Sequence, residues 1–131
     1  MAVLRAGVRA YTDAELLGHL HGHMLASIAN LARKKANGTA LPLLYQSGVR
    51  YKREPPGSEV WQLPHESVAL GYGDCEDLAT WFVAERHLLG DHEWQVHVKF
   101  INPALRHILA IHVADGRIED PSAKLGMRGA G

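Results

Sequence analysis

The chain has 131 residues, 47% of them hydrophobic and 21% charged, and its 14 basic side chains are balanced by 14 acidic ones. That is the length of one domain, apolar enough to build a core and unlike the charged, weakly hydrophobic composition of a disordered chain. Zero net charge offers no overall field to collect nucleic acid or an anionic membrane, and a single cysteine, Cys75, excludes a disulfide framework and a multi-cysteine zinc site.

Residues 12–37 predict an amphipathic helix. Thr12 and Glu15 form a capping box, and Leu16, Leu17, Leu20, Met24, Leu25, Ile28 and Leu31 follow at helical spacing. Arg33, Lys34 and Lys35 suit the negative end of its dipole, and Asn37-Gly38 ends it. His19, His21 and His23 read as an exposed face, because no carboxylate or cysteine at useful spacing completes a metal site. From Leu41 to Pro56 the chain reads as extended or looped. Arg50, Lys52 and Arg53 alternate there with Val49 and Tyr51, as in an edge strand or a groove wall, and Pro55-Pro56-Gly57 breaks regular structure.

A short helix is expected from Pro64 to Gly71 and another from Cys75 to Gly90, its apolar spacing carried by Leu78, Phe82 and Leu89 with Ala79 alongside. Trp94, Val96, Val98 and Phe100 alternate with polar residues as in a half-buried strand. The runs HILAIHVA and RIED flank Asp115-Gly116, a strong hairpin signal, and the tail, 122–131, reads as loop. Together these give one α+β domain over 1–131, a Cys-bearing helix packed on a small antiparallel sheet with an extra N-terminal helix. No apolar run reaches signal-peptide or transmembrane length. The expected location is therefore the cytoplasm, or a larger particle into which the chain is incorporated.

A thiol at a helix start is favoured as thiolate by the unpaired N–H groups there, and the same groups can receive an oxyanion. Cys75 fits this pattern, but Asp74, Glu76 and Asp77 crowd it with negative charge. The plainer reading is that these acids cap the helix and Cys75 is a small buried hydrophobe. A nucleophile also needs a base, and the hairpin offers His107 and His112. A two-residue turn puts His107, Leu109, Ile111, Val113, Ile118 and Asp120 on one side, with His107 too far along to touch Asp120. A four-residue loop, Val113 to Gly116, brings the two diagonal, whereas a three-residue loop puts His112 on the face of Asp120. The side with Ile111, Val113 and Ile118 is the more apolar and is expected to meet the Cys75 helix. That favours His107 and leaves His112 with Glu119 on the far side.

The stretch WQLPHESVALGYGDCEDLATWFVAERHLLG, residues 61–90, resembles the nucleophile region of bacterial transglutaminase-like cysteine proteinases in its Trp, Pro, Glu and GxGDCED pattern. The resemblance covers 61–121 and leaves the N-terminal helix outside. It implies a papain-like, transglutaminase-like core and a cysteine peptidase, with a catalytic triad of Cys75, His107 of HILAI and Asp120 of EDPS; His112 is the runner-up. It also implies calcium held near Asp74 and Glu76, although no cofactor is required by the chemistry. Gln62 and Trp61, close to the cysteine loop, are the candidates for a second oxyanion donor. The expected activity is thiol-dependent hydrolysis of a peptide or amide bond in a peptide or protein substrate, with transglutaminase or deamidase chemistry as alternatives. A different class is a non-catalytic structural module, for instance of a phage particle, that keeps the fold and docks a protein partner through its N-terminal helix.

Overall fold

The structure, a computed structural model, describes residues 13–53, 61–102 and 105–127. Its elements are helix α1 (Asp13–Ala36), a 3-10 turn (Leu44–Gln46), strand β1 (Arg50–Tyr51), helix α2 (Pro64–Leu70), strand β2 (Tyr72–Gly73) and helix α3 (Cys75–Leu88). Strands β3 (Trp94–Asn102), β4 (Leu105–His112) and β5 (Ile118–Glu119) follow, and a last turn of helix, α4 (Pro121–Lys124), completes a mixed α+β fold. The Thr12 cap, the Pro55-Pro56-Gly57 break and the terminal glycines lie outside the described residues. No helix among the described residues is long and apolar enough to cross a membrane.

Every residue of α3 from Cys75 to Glu85 is buried, so α3 is not the one-faced helix that the Leu78, Phe82 and Leu89 spacing predicts. Leu89 lies past its end and is 61% exposed. A helix closed in all round needs cover on every side. The stripe Leu16, Leu20 and Met24 of α1 supplies one side, the three-stranded sheet another, and the 3-10 turn and α4 fill the gaps. The larger core cluster joins Leu78, Trp81, Phe82 and Val83 of α3 to Met24, Leu44, Val49, Trp94, Ala110 and Leu125. Two of the buried polar side chains of α3 bond nearby backbone: Thr80 donates to the Glu76 carbonyl at 2.6 Å, and Glu85 accepts the Leu44 N–H at 2.7 Å.

Leu125 corrects the expected loop-like tail. Asp120 caps and Pro121 opens α4, the position where proline's missing N–H costs nothing, and Leu125 enters the core while its carbonyl accepts the Tyr51 N–H at 2.9 Å. The GYGD segment is also more than a turn. Arg50 and Tyr51 pair in parallel with Tyr72 and Gly73, and Gly73 passes so close to α3 that a Cβ there would lie 3.0 Å from the Leu78 side chain.

The sheet order is β3-β4-β5, all antiparallel, with Val96 opposite Ala110 and Ile111 opposite Ile118. This register leaves Val113 to Gly116 as a four-residue loop, closed by Gly116 N–H to His112 O at 2.7 Å. The two-residue turn at Asp115-Gly116 does not form, because a type I′ turn needs positive φ at both residues and only Gly116 has it, at 77°. The expected packing face is reversed. Ile108 and Ala110 of β4, with Trp94, Val96 and Val98 of β3, pack toward the helices, so His107, Leu109 and Ile111 point to the other side. Val113 and Ile118, taken as the apolar side, are 61% and 53% exposed.

Leu78 sits at the centre of this arrangement with no exposed surface. Leu78→Ala should cost about 2 to 5 kcal/mol in urea unfolding; a loss below about 1 kcal/mol would show that the helix is loosely enclosed.

Candidate active site

Cys75 is the first residue of α3, and its position is set by the caps around it. Asp74 is the N-cap and accepts the Cys75 N–H at 2.7 Å, while Asp77 accepts the Asp74 N–H at 3.0 Å. The capping reading thus holds for Asp74 and Asp77 but not for Glu76. Glu76 is 1% exposed, and its Oε2 accepts the thiol hydrogen at 3.4 Å, while Oε1 is buried without a hydrogen-bond partner. Burial, then the charges of Glu76 and Asp74, push the thiol well above its ordinary pKa, and the Ile108 N–H pulls the other way. Burial together with Asp77 and Asp74 raises Glu76 as well, so its carboxyl is held toward the protonated form.

The contact with Ile108 brings the thiol to the residue next to His107 on β4. His107 is 3% exposed, and its Nε2 lies 3.0 Å and 2.9 Å from the two Asp120 oxygens. Partial burial would raise Asp120, but the hydrogen bond and charge of His107, the Ala123 N–H and Lys99 outweigh it and hold the carboxyl below the ordinary range. An ionised carboxylate only accepts, so Nε2 carries a proton, and in the neutral ring Nδ1 is then the nitrogen with the lone pair. The four-residue loop makes this contact, since it moves Asp120 to the diagonal of His107. Among the described residues the thiol has no hydrogen bond to either candidate imidazole; the thiol lies on one side of the pleat and His107 on the other.

His112 is placed elsewhere. Its Nε2 bonds Asp91 at 3.1 Å, its Nδ1 lies 3.1 Å from Asp115, and its ring meets Trp94 edge-on at 5.0 Å. Glu119, expected beside His112, instead accepts from the Tyr45 hydroxyl and pairs with Lys124. Gln62 is not a free oxyanion donor either, because its amide nitrogen donates to Ser67 Oγ and to the Tyr72 carbonyl, both at 2.9 Å. The Cys75 N–H is likewise taken by Asp74. Trp61 differs: it packs against the cluster holding Cys75, Leu16, Leu20 and Ile108, and its indole N–H is buried without a partner.

Two residues matter more than their sequence positions suggest. Asp77 accepts the Gln62 N–H at 2.8 Å as well as that of Asp74, so one carboxylate ties the Trp61-Gln62 segment to the cysteine turn. His23, expected on an exposed face, is mostly buried; its ring meets Trp61 edge-on at 5.4 Å and its Nε2 lies 3.9 Å from Asp77. The signal available was the pair Asp74 and Asp77, three apart at a helix start.

Asp74, Cys75 and Glu76 can bring one ligand atom each within 4.8 Å of one another. Calcium takes six to eight oxygens, whereas this cluster offers two carboxylates, one of them already a helix cap, so these residues alone do not compose a calcium site. What they compose is a charge-crowded thiol that burial keeps protonated.

The low pKa of Asp120 has a consequence for stability. A carboxyl lowered in the folded state stabilises fully above its unfolded value, about 4, and less as pH falls through the lowered folded value. The stability difference between wild type and Asp120→Asn, read by urea unfolding, should shrink as pH falls below about 4. A difference that does not change with pH would mean that the pair does not form.

Comparison with protein-family models, with curated proteins and with solved structures returns no match to this chain.

Proposed function

We propose that the chain is a thiol-dependent hydrolase of a peptide or amide bond, built on a transglutaminase-like arrangement of Cys75, His107 and Asp120. The observation that carries this reading is the pair of buried His107 and partly buried Asp120, with both carboxylate oxygens on Nε2, beside the strand residue whose N–H acts on the thiol. In the reaction His107 Nδ1 takes the Cys75 proton as sulfur bonds the carbonyl carbon. The C–N bond then breaks, the amine leaves with the proton from the imidazolium, and water cleaves the thioester to restore the thiol. Asp120 holds the imidazole in the required tautomer, and the Trp61 indole N–H is the donor left for the oxyanion. An amine in place of water makes the same chemistry a transamidation, and a side-chain amide as substrate makes it a deamidation.

A second reading has its own support. The thiol has no exposed surface, is bonded to a buried carboxyl and is pushed toward the protonated form, which suits a non-catalytic module of a larger assembly such as a phage particle. For catalysis the cover of Leu16, Leu20 and Ile108 must shift to admit substrate, and the His107 ring must come round to the side of β4 that holds the thiol.

Iodoacetamide labelling and peptide-library hydrolysis separate the two. The enzyme reading expects native Cys75 to alkylate faster than the denatured chain near neutral pH, and hydrolysis to vanish in Cys75→Ala. It also expects His107→Ala to slow the reaction about a hundredfold or more, with His112→Ala leaving it intact. Native labelling slower than denatured in all variants would leave the structural module standing, and loss of reactivity in His112→Ala alone would transfer the role of base.

A further inference from the structure

Helix α1 lies outside the stretch that resembles the cysteine proteinases, yet it reaches the candidate site through two histidines. His19 and His23 are about one turn apart and so share a face of the helix. Both meet the Trp61 indole at a steep angle, with ring centroids 6.2 Å apart at 78° for His19 and 5.4 Å apart at 65° for His23. Such contacts set the angle between two rings, because the positive edge of one meets the negative face of the other. A pair of them from one helix holds the indole against rotation. The His23 side chain is 8% exposed, and its Nε2 is buried without a hydrogen-bond partner, 3.9 Å from Asp77 Oδ1. The same oxygen accepts the Gln62 N–H at 2.8 Å, so His23 lies beside both the indole and the carboxylate that anchors its segment.

We propose that His23 is a positioning residue, which in its neutral form holds the Trp61 indole in place for the oxyanion and on protonation lets it go. This role rests on the reading of Trp61 as the oxyanion donor and adds to it a control by pH. Burial keeps the imidazole neutral and holds it below its ordinary value, while the Gln62 backbone and the charge of Glu66 pull the other way. The titratable groups that face it are Asp77 of α3, Glu66 of α2 and, across the indole on its own helix, His19. In acid both ring nitrogens carry N–H, so Nε2 becomes a donor beside the Asp77 carboxylate. An imidazolium at this range is drawn to the carboxylate, and a ring that closes on Asp77 gives up its angle to the indole. The Gln62 N–H then shares its acceptor, which loosens the segment that carries Trp61.

The test reads the indole itself, by NMR of the full chain labelled with nitrogen-15. Trp61→Phe identifies its N–H signal among those of the three tryptophans. That signal should move with pH, with a midpoint below about 6.5. The greater part of the movement should vanish in His23→Phe, which keeps a ring against the indole but cannot charge, and should persist in His19→Phe. In peptide hydrolysis His23→Ala should lower kcat about tenfold and leave KM within about twofold, because an oxyanion donor acts in the transition state. His23→Phe should restore kcat and keep it as the pH falls through the midpoint; if His23→Ala does not fold, His23→Gln serves in its place. A Trp61 signal that does not titrate, or a titration that survives in His23→Phe, would overturn the proposal, as would an unchanged kcat or a change in KM alone. A wild type without hydrolytic activity overturns the thiol reading, while the titration still decides whether His23 holds the indole, so the two failures are read separately.

Discussion

The enclosure of α3 is the constraint on which the other features depend. Removing its first three turns from water takes Asp74, Cys75, Glu76 and Asp77 out of water with them, and buried carboxyls are tolerated only when hydrogen-bonded or neutral. The chain meets this demand in three ways. Asp74 and Asp77 turn back on backbone N–H groups, Asp77 also gathers the Gln62 segment, and Glu76 is held toward its neutral form beside the thiol. The cysteine turn is therefore positioned by the need to satisfy charge, and its geometry follows from carboxylates that a sequence reading takes as simple caps.

The same enclosure sets the chemical state of the thiol. A helix start ordinarily favours thiolate, but here the N–H of Cys75 is spent on Asp74 and the nearest side chain is a carboxyl. Burial and like charge thus oppose the helix dipole, and the group able to reverse the balance is a cation formed nearby, such as a protonated His107. Any move that uncovers the thiol also rehydrates its neighbours, so its protonation and its burial change together.

Much of the architecture was legible in the sequence. Gly71 and Gly90 mark where α2 and α3 stop, and the alternation from Trp94 marks β3. The contact between His107 and Asp120 depended on loop length, which the Asp115-Gly116 pair suggests wrongly because Asp115 does not take positive φ. The packing face was misread because HILAIH is apolar on both sides, with Leu109 and Ile111 as greasy as Ile108 and Ala110. What decides it lies on the neighbouring strand: Gln95, His97 and Lys99 make one side of β3 polar, so the side with Val96 must face inward and takes Ala110 with it. The tail could not be read from local propensity, since Leu125 is held by the core and by Tyr51, both distant in the chain. The roles of Glu76 and His23 depend on tertiary enclosure and carry no local pattern.

Asp120 has two duties that tie the imidazole to the last element of the fold. The carboxylate that accepts from His107 also caps α4 through the Ala123 N–H, and α4 is held down by Leu125 and its bond from Tyr51. During folding, a chain in which β4 has formed while residues 121–125 are still loose has no fixed acceptor for the His107 ring. Its imidazole can turn, and either nitrogen can carry the proton. The ring's orientation and tautomer are therefore set only when the C-terminal turn docks, so an intermediate that lacks this turn differs from the folded chain at His107 as well as at its C-terminus.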